Sequence, residues 1–106
     1  MDLRQFVSEG LATRQPIKRS FRFGGDTIEG YFLDLPALQV REMMRLEAED
    51  RDAIFLAAVL CDEKGAPLMS IEQARLLRPA QLAVLINEAL AALGLGDEGR
   101  DGAKKP

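Results

Sequence analysis

The sequence predicts an α+β fold in which an N-terminal β-hairpin packs against a small bundle of about four helices. Two runs rich in aromatic and β-branched residues flank Gly24-Gly25-Asp26, which is a typical hairpin signal. Further along, apolar residues recur at the period of a helix, most regularly over residues 82–93. The 106 residues are one domain's worth of chain. We therefore expect a single domain over residues 1–96 and a disordered tail over 97–106, which is polar and rich in glycine.

A short helix is expected at the N-terminus. Asp2 can cap a helix over residues 3–9, because its carboxylate can accept hydrogen bonds from backbone N–H groups that lack a partner in the first turn. Leu3, Phe6 and Val7 would share one face of this helix.

The strands of the hairpin are expected over residues 17–23 and 27–33. Side chains alternate between the two faces of a strand, so Ile17, Phe21 and Phe23 would lie on one face. An isolated two-stranded hairpin is only marginally stable in water. The helices that follow must therefore cover one of its faces.

Two helices are predicted in the middle of the chain. Asp34 is placed to cap the first, with Pro36 in its first turn. A break or bend near Glu49-Asp50 leads to the second, which would end at Cys61. Its segment 53–61 is apolar all round, which predicts a place at the centre of the core or against another subunit.

The C-terminal third is predicted as a turn followed by two helices. Residues 62–69 are rich in turn formers, and Ser70 with Gln73 matches a capping box for a short helix. Pro79 opens the last helix, and Gly94 would end it. The apolar residues of the last helix have the most regular helical spacing in the chain: Leu82, Leu85, Ile86, Ala89, Leu90 and Leu93.

Composition argues against an enzyme. The chain has no His, the usual general base and the commonest zinc ligand, and its single Cys, Cys61, excludes an intrachain disulfide and fits a reducing compartment. The formal net charge of −3 disfavours nucleic-acid binding. The longest nearly apolar stretch, residues 53–61, is much shorter than the roughly 20 residues of a membrane span. We expect a cytoplasmic protein with no catalytic residue, cofactor or metal, and with no nucleic-acid or membrane partner.

Segments that resemble binding loops lack the side chains those loops require. Gly25 and Gly30 have the spacing of a phosphate-binding loop, but Tyr31 and Phe32 stand where Lys and Ser or Thr are needed. In a possible calcium loop after the apolar helix, Lys64 stands where a carboxylate ligand belongs. Both segments are better explained as turns.

Two further candidates for function also lack support. Cys61 is followed by Asp62 and Glu63, which would raise the pKa of its thiol, so a buried structural Cys is expected. The last two helices have the order of a helix-turn-helix, but no Lys or Arg occurs from Ala80 to Leu93 to face DNA.

The predicted elements follow a recognisable order. The hairpin precedes an acidic helix and an apolar helix, which runs into the turn Asp62-Glu63-Lys64-Gly65-Ala66-Pro67-Leu68. A capped Ser70 to Gln73 helix comes next, and the last helix closes on Leu93-Gly94. Over residues 17–96 this order resembles the tail assembly chaperones of long-tailed bacteriophages and prophages. That family often has Asn before the closing Gly, where this chain has Leu93.

The resemblance implies a non-catalytic function in tail assembly. Such proteins bind the long, helical, apolar tape measure protein, keep it soluble, and recruit tail tube subunits before leaving as the tube polymerises. Many copies would coat one tape measure protein, and the apolar segment 53–61 is compatible with a homo-oligomer. Two alternatives stay open: a structural subunit of the virion or tail tube, and a small DNA-binding regulator.

Partner binding is assigned to apolar residues that one small core does not obviously need: Val40, Met43, Met44, Ile54, Phe55 and Val84. Flexible thioether side chains suit surfaces that must fit varied apolar partners. Val84 lies opposite the apolar stripe of the last helix. Helix-in-groove recognition uses such apolar anchors. Ordinary packing in the core, or incidental exposure, would explain the same six residues.

Overall fold

The computed structural model describes residues 1–11 and 15–95, which form five helices and a three-stranded sheet. In chain order the elements are α1 (Leu3–Leu11), β1 (Ile17–Phe23), β2 (Asp26–Phe32), α2 (Ala37–Met43), α3 (Ala48–Val59), β3 (Leu60–Cys61), α4 (Ile71–Arg75) and α5 (Pro79–Ala92). The sheet is antiparallel with strand order β1-β2-β3. The predicted α+β class, with an N-terminal hairpin and several helices, is confirmed. The predicted tail over 97–106 lies outside the described residues.

The hairpin forms where it was predicted, with a two-residue loop. Phe23 pairs with Asp26, and the intervening Gly24 and Gly25 have φ angles of 58° and 89°. A type I′ turn requires positive φ at both of these positions, which glycine adopts without strain. Strand β2 therefore begins at Asp26, one residue earlier than predicted, and ends at Phe32.

One face of the hairpin packs on the helices. The side chains of β1 alternate between half-buried and exposed, and Phe21 packs against the buried core. Phe32, opposite Ile17, is fully buried. On the same face, the Arg19 guanidinium Nε donates to Glu88 Oε1 of α5 at 3.0 Å, which ties the hairpin to the last helix.

The start of α2 corrects the prediction for Asp34. The N-cap position is Pro36, no side chain caps the helix, and the helix begins at Ala37. Pro36 has an extended ψ of 145°, so it stands before the first turn rather than inside it. The helix therefore begins without a side-chain cap.

The break between α2 and α3 also comes earlier than predicted. Helix α2 ends at Met43, and the backbone N–H groups of Arg45 and Leu46 bond to carbonyls three residues back, which tightens the final turn. Helix α3 then begins at Ala48, so Glu49-Asp50 lies inside its first turn and not at a bend. The earlier break leaves α2 with only seven residues.

The end of α3 corrects a further prediction. The helix stops at Val59, and Leu60-Cys61 forms β3, paired with Phe32 and Tyr31 of β2. On the other side, the Leu68 N–H donates to the Leu60 carbonyl at 3.3 Å. Backbone pairing on both sides thus replaces the last helical turn.

The predicted turn and helix signals of the C-terminal third are confirmed. Asp62 Oδ1 accepts hydrogen bonds from the backbone N–H groups of Lys64 and Ala66 at 2.8 and 2.9 Å. The Ser70 and Gln73 side chains complete a reciprocal capping box at the start of α4. Pro79 occupies the first turn of α5, as expected.

Helix α3 lies at the centre of the core, one of the two places predicted for the apolar segment. The buried cluster comprises Phe32, Leu35, Met43, Ala53, Phe55, Leu56, Val59, Leu60, Ala74 and Ala89. All six residues of the predicted stripe on α5 belong to this cluster or pack against it. None of the helices in the described part of the chain is both long enough and apolar enough to cross a bilayer.

Candidate functional site

An apolar groove lies between α2, α3 and α5. It consists of two adjoining cavities of about 470 and 450 Å³ that share Val40 and Leu95 as lining residues. The first is lined by Val40, Met44, Arg51, Asp52, Phe55, Ile86, Leu90 and Leu95. The second is lined by Gly10, Asp34, Leu35, Ala37, Val40, Arg41, Leu93 and Leu95. We call the two together the α2–α5 groove.

Three of the six predicted partner-binding residues line the α2–α5 groove. Val40 is half-buried where the two cavities meet, and Met44 is 43% exposed at the end of α2. Phe55 forms part of the lining although only 2% of its surface is exposed. Met44 is the most exposed of the three, and its thioether side chain is flexible.

The other three predicted residues lie elsewhere. Met43 is buried and belongs to the core, and Ile54 is half-buried and packs against it. Val84 is half-buried on α5 and does not line the α2–α5 groove. The structure thus brings three of the six together, and a role in partner binding stays a prediction for all of them.

Sequence reasoning missed the α5 side of the groove. Ile86 and Leu90 belong to the regular apolar stripe that predicted a core-facing helix. They also line the groove, and no further feature of the sequence indicates that second contact. Leu95 follows the helix, and an apolar residue just beyond a terminal Gly is the available signal for it.

A Schellman motif places Leu95 in the groove. Gly94, with φ of 74°, follows the last helical turn, and its N–H bonds to the Ala91 carbonyl at 3.1 Å. The Leu95 N–H bonds to the Leu90 carbonyl at 2.7 Å, which completes the motif. The motif turns the chain back, so that Leu95 and Leu90 line the same cavity.

Charged side chains of both signs border the groove. Asp34 and Arg41 line one cavity, and Arg51 and Asp52 line the other. Among the residues that the structure describes, none of these four forms an ion pair. The border can therefore pair with charges on a partner without first breaking an ion pair among the described residues.

A second apolar surface lies on α1. None of its residues is buried. Four apolar side chains at helical spacing are exposed: Leu3 (77%), Phe6 (65%), Val7 (49%) and Leu11 (78%). The predicted cap is present, since Asp2 Oδ1 accepts from the Gln5 backbone N–H at 2.9 Å. The helix reaches Leu11, two residues beyond the predicted end, and Leu11 extends the predicted apolar face, which we call the α1 stripe.

A larger cavity of about 600 Å³ lies between α3, α4 and α5. Asp50 Oδ1 and Arg75 Nη2 are 2.8 Å apart at its border, and both side chains are half-exposed. These two charged groups already satisfy each other, so they offer little to a ligand.

The described residues include no candidate metal site and one Cys with a perturbed thiol. No group of three or more His, Cys, Asp or Glu side chains in this part of the chain is placed to hold a metal ion. Cys61 is buried, and burial, with a smaller contribution from the charge of Asp62, raises the pKa of its thiol. A raised pKa disfavours the reactive thiolate, as predicted for a structural Cys.

Comparisons with protein-family models, with curated proteins and with solved structures find no match to this chain.

Proposed function

We propose that this protein is a tail assembly chaperone of a long-tailed bacteriophage or prophage. It would act in the cytoplasm of the host cell, bind apolar helical segments of the tape measure protein, and help to recruit tail tube subunits. The observation that carries the proposal is the α2–α5 groove, a solvent-open apolar channel bordered by charges that form no ion pair among the described residues. The order of elements along the sequence, which resembles that of tail assembly chaperones, supports the choice of this family.

The apolar lining of the groove suits a helix as ligand. A bound helix buries one apolar stripe, with anchors at positions i, i+3 or i+4, and i+7. The cavity that Met44, Phe55, Ile86 and Leu90 line would take such anchors in succession. Arg51 and Asp52, which line the same cavity, would contact polar residues beside the stripe.

Weak binding by each copy would suit a chaperone that must later leave. The apolar part of the groove is short, so each copy would cover only a few turns of a long client. Many copies on one tape measure protein would supply the avidity that keeps it soluble. Polymerising tube subunits could then displace the copies one at a time.

Co-expression with the tape measure protein encoded nearby tests the proposal. We expect the wild-type chain to keep that protein soluble and to co-purify with it. Met44→Asp places a charge in the groove and should lower the soluble fraction at least threefold. Leu38→Asp is the matched control, because Leu38 is 67% exposed on the same helix and does not line the groove.

Three results would count against the proposal. Absence of rescue by the wild-type chain would remove it, and equal rescue by Met44→Asp and the control would remove the groove as the binding site. Recovery of the protein from purified particles at ring stoichiometry would instead indicate a structural subunit.

A further inference from the structure

Packing within the domain does not explain the stability of helix α1. It has nine residues, none of them buried, and isolated helices shorter than about 12 to 15 residues are marginal in water. The four side chains of the α1 stripe lie on one side of the helix and are all exposed: Leu3, Phe6, Val7 and Leu11. A helix of this kind gains stability when its stripe is covered by another surface.

The α2–α5 groove matches the α1 stripe in apolar character. At 1.5 Å per residue, the stripe from Leu3 to Leu11 extends about 12 Å along the helix. The groove offers an apolar lining that includes Met44 and Phe55 in one cavity and Leu93 in the other.

Charges on the borders of the two surfaces are complementary. At 100° per residue, Arg4 lies beside Leu11 on one edge of the stripe, and Glu9 lies beside Phe6 on the other edge. The groove carries two Asp and two Arg side chains on its borders, without ion pairs among the described residues. Both surfaces thus carry charges of both signs at their borders, and opposite charges can pair when α1 docks.

We infer that the α1 stripe of one copy docks in the α2–α5 groove of a second copy. Within one chain, Gly10 of α1 lines the groove, whereas none of the four apolar side chains of the stripe does. Reciprocal insertion of α1 between two copies would close a two-fold dimer in which both stripes and both grooves are covered.

The proposed dimer involves only surfaces of this chain and does not depend on a tape measure client. Dimer formation would also affect the binding of any other helix to the groove. The second copy's α1 would compete with that helix, and dimer formation would then weaken its apparent affinity.

Sedimentation equilibrium of the full chain over a range of concentrations tests the dimer. We expect a monomer–dimer equilibrium whose dissociation constant rises at least tenfold in Phe6→Asp. Gln5→Asp adds the same charge to the polar face of the same helix and should change the constant less than twofold. Both positions are exposed, so neither variant removes a core contact. A strict monomer, or equal effects of the two variants, would overturn the inference.

Crosslinking between two labelled populations tests which surfaces meet. One population carries Phe6→Cys, the other carries Met44→Cys, and Cys61 is too buried to react. With a short bismaleimide, we expect the covalent heterodimer to form at least ten times faster than when Gln5→Cys replaces Phe6→Cys. Crosslinking within a chain that carries both substitutions, without product between populations, would show that α1 occupies its own groove and would overturn the inference.

Discussion

Cys61 illustrates how burial governs the chemistry of a single residue. Its side chain is 2% exposed, in a strand between the helix α3 and an acidic turn. Burial raises the pKa of the Cys61 thiol, and the charge of Asp62 raises it further. The sequence predicted the direction from the acidic neighbours, whereas the larger cause, burial, required the fold.

The raised thiol pKa predicts a loss of stability at alkaline pH. Below the ordinary thiol value of about 8.5, both folded and unfolded states keep the proton, and the contribution is fully present. As the pH rises past that value, the unfolded state loses the proton first, so the free energy of unfolding falls by at most about 1.4 kcal/mol per pH unit. Urea denaturation between pH 8 and 10 should show a steeper fall for the wild type than for Cys61→Ala. Parallel curves would contradict the prediction, because the two chains differ only at this residue.

At the scale of elements, local signals were sufficient for the hairpin and for α5. The positive φ angles that Gly24 and Gly25 adopt determine the turn of the hairpin, and the apolar stripe of α5 repeats over three turns. The strand β3 could not be predicted in this way. Leu60 and Cys61 become extended because they pair with β2, about thirty residues earlier in the chain, and no local pattern records that pairing.

The C-terminal motif of α5 predicts a matched pair of glycine variants. Gly94 has φ of 74°, and a Cβ at this position would meet nothing within 4 Å, so Gly94→Ala introduces backbone strain without a clash. We expect a loss of about 1 kcal/mol in the free energy of unfolding, together with weaker ligand binding as Leu95 leaves the groove. Gly10→Ala is the control, since Gly10 lies within α1 at ordinary φ and alanine favours helices. Equal losses in urea denaturation would show that the motif contributes nothing specific.

At the scale of the whole molecule, the candidate site depends on contacts between distant elements. Val40 and Met44 come from α2, Phe55 from α3, and Ile86 and Leu90 from α5. The sequence proposed Val40, Met44 and Phe55 as partner-binding residues because one small core does not obviously need all of its apolar residues. The α5 residues could not be separated from the core, because a single stripe both packs on α3 and borders the groove.

Helix α1 is exposed while the rest of the described domain is packed, and this predicts the effect of removing α1. A chain that begins at residue 12 loses no buried side chain of the described structure. At low protein concentration we therefore expect its free energy of unfolding to equal that of the full chain within about 0.5 kcal/mol. At higher concentration the urea midpoint of the full chain should rise, because association stabilises the folded state, while that of the truncated chain should stay constant. A loss of more than about 1 kcal/mol at low concentration would mean that α1 supports its own domain, and its stripe would then serve the monomer's stability rather than contact between copies.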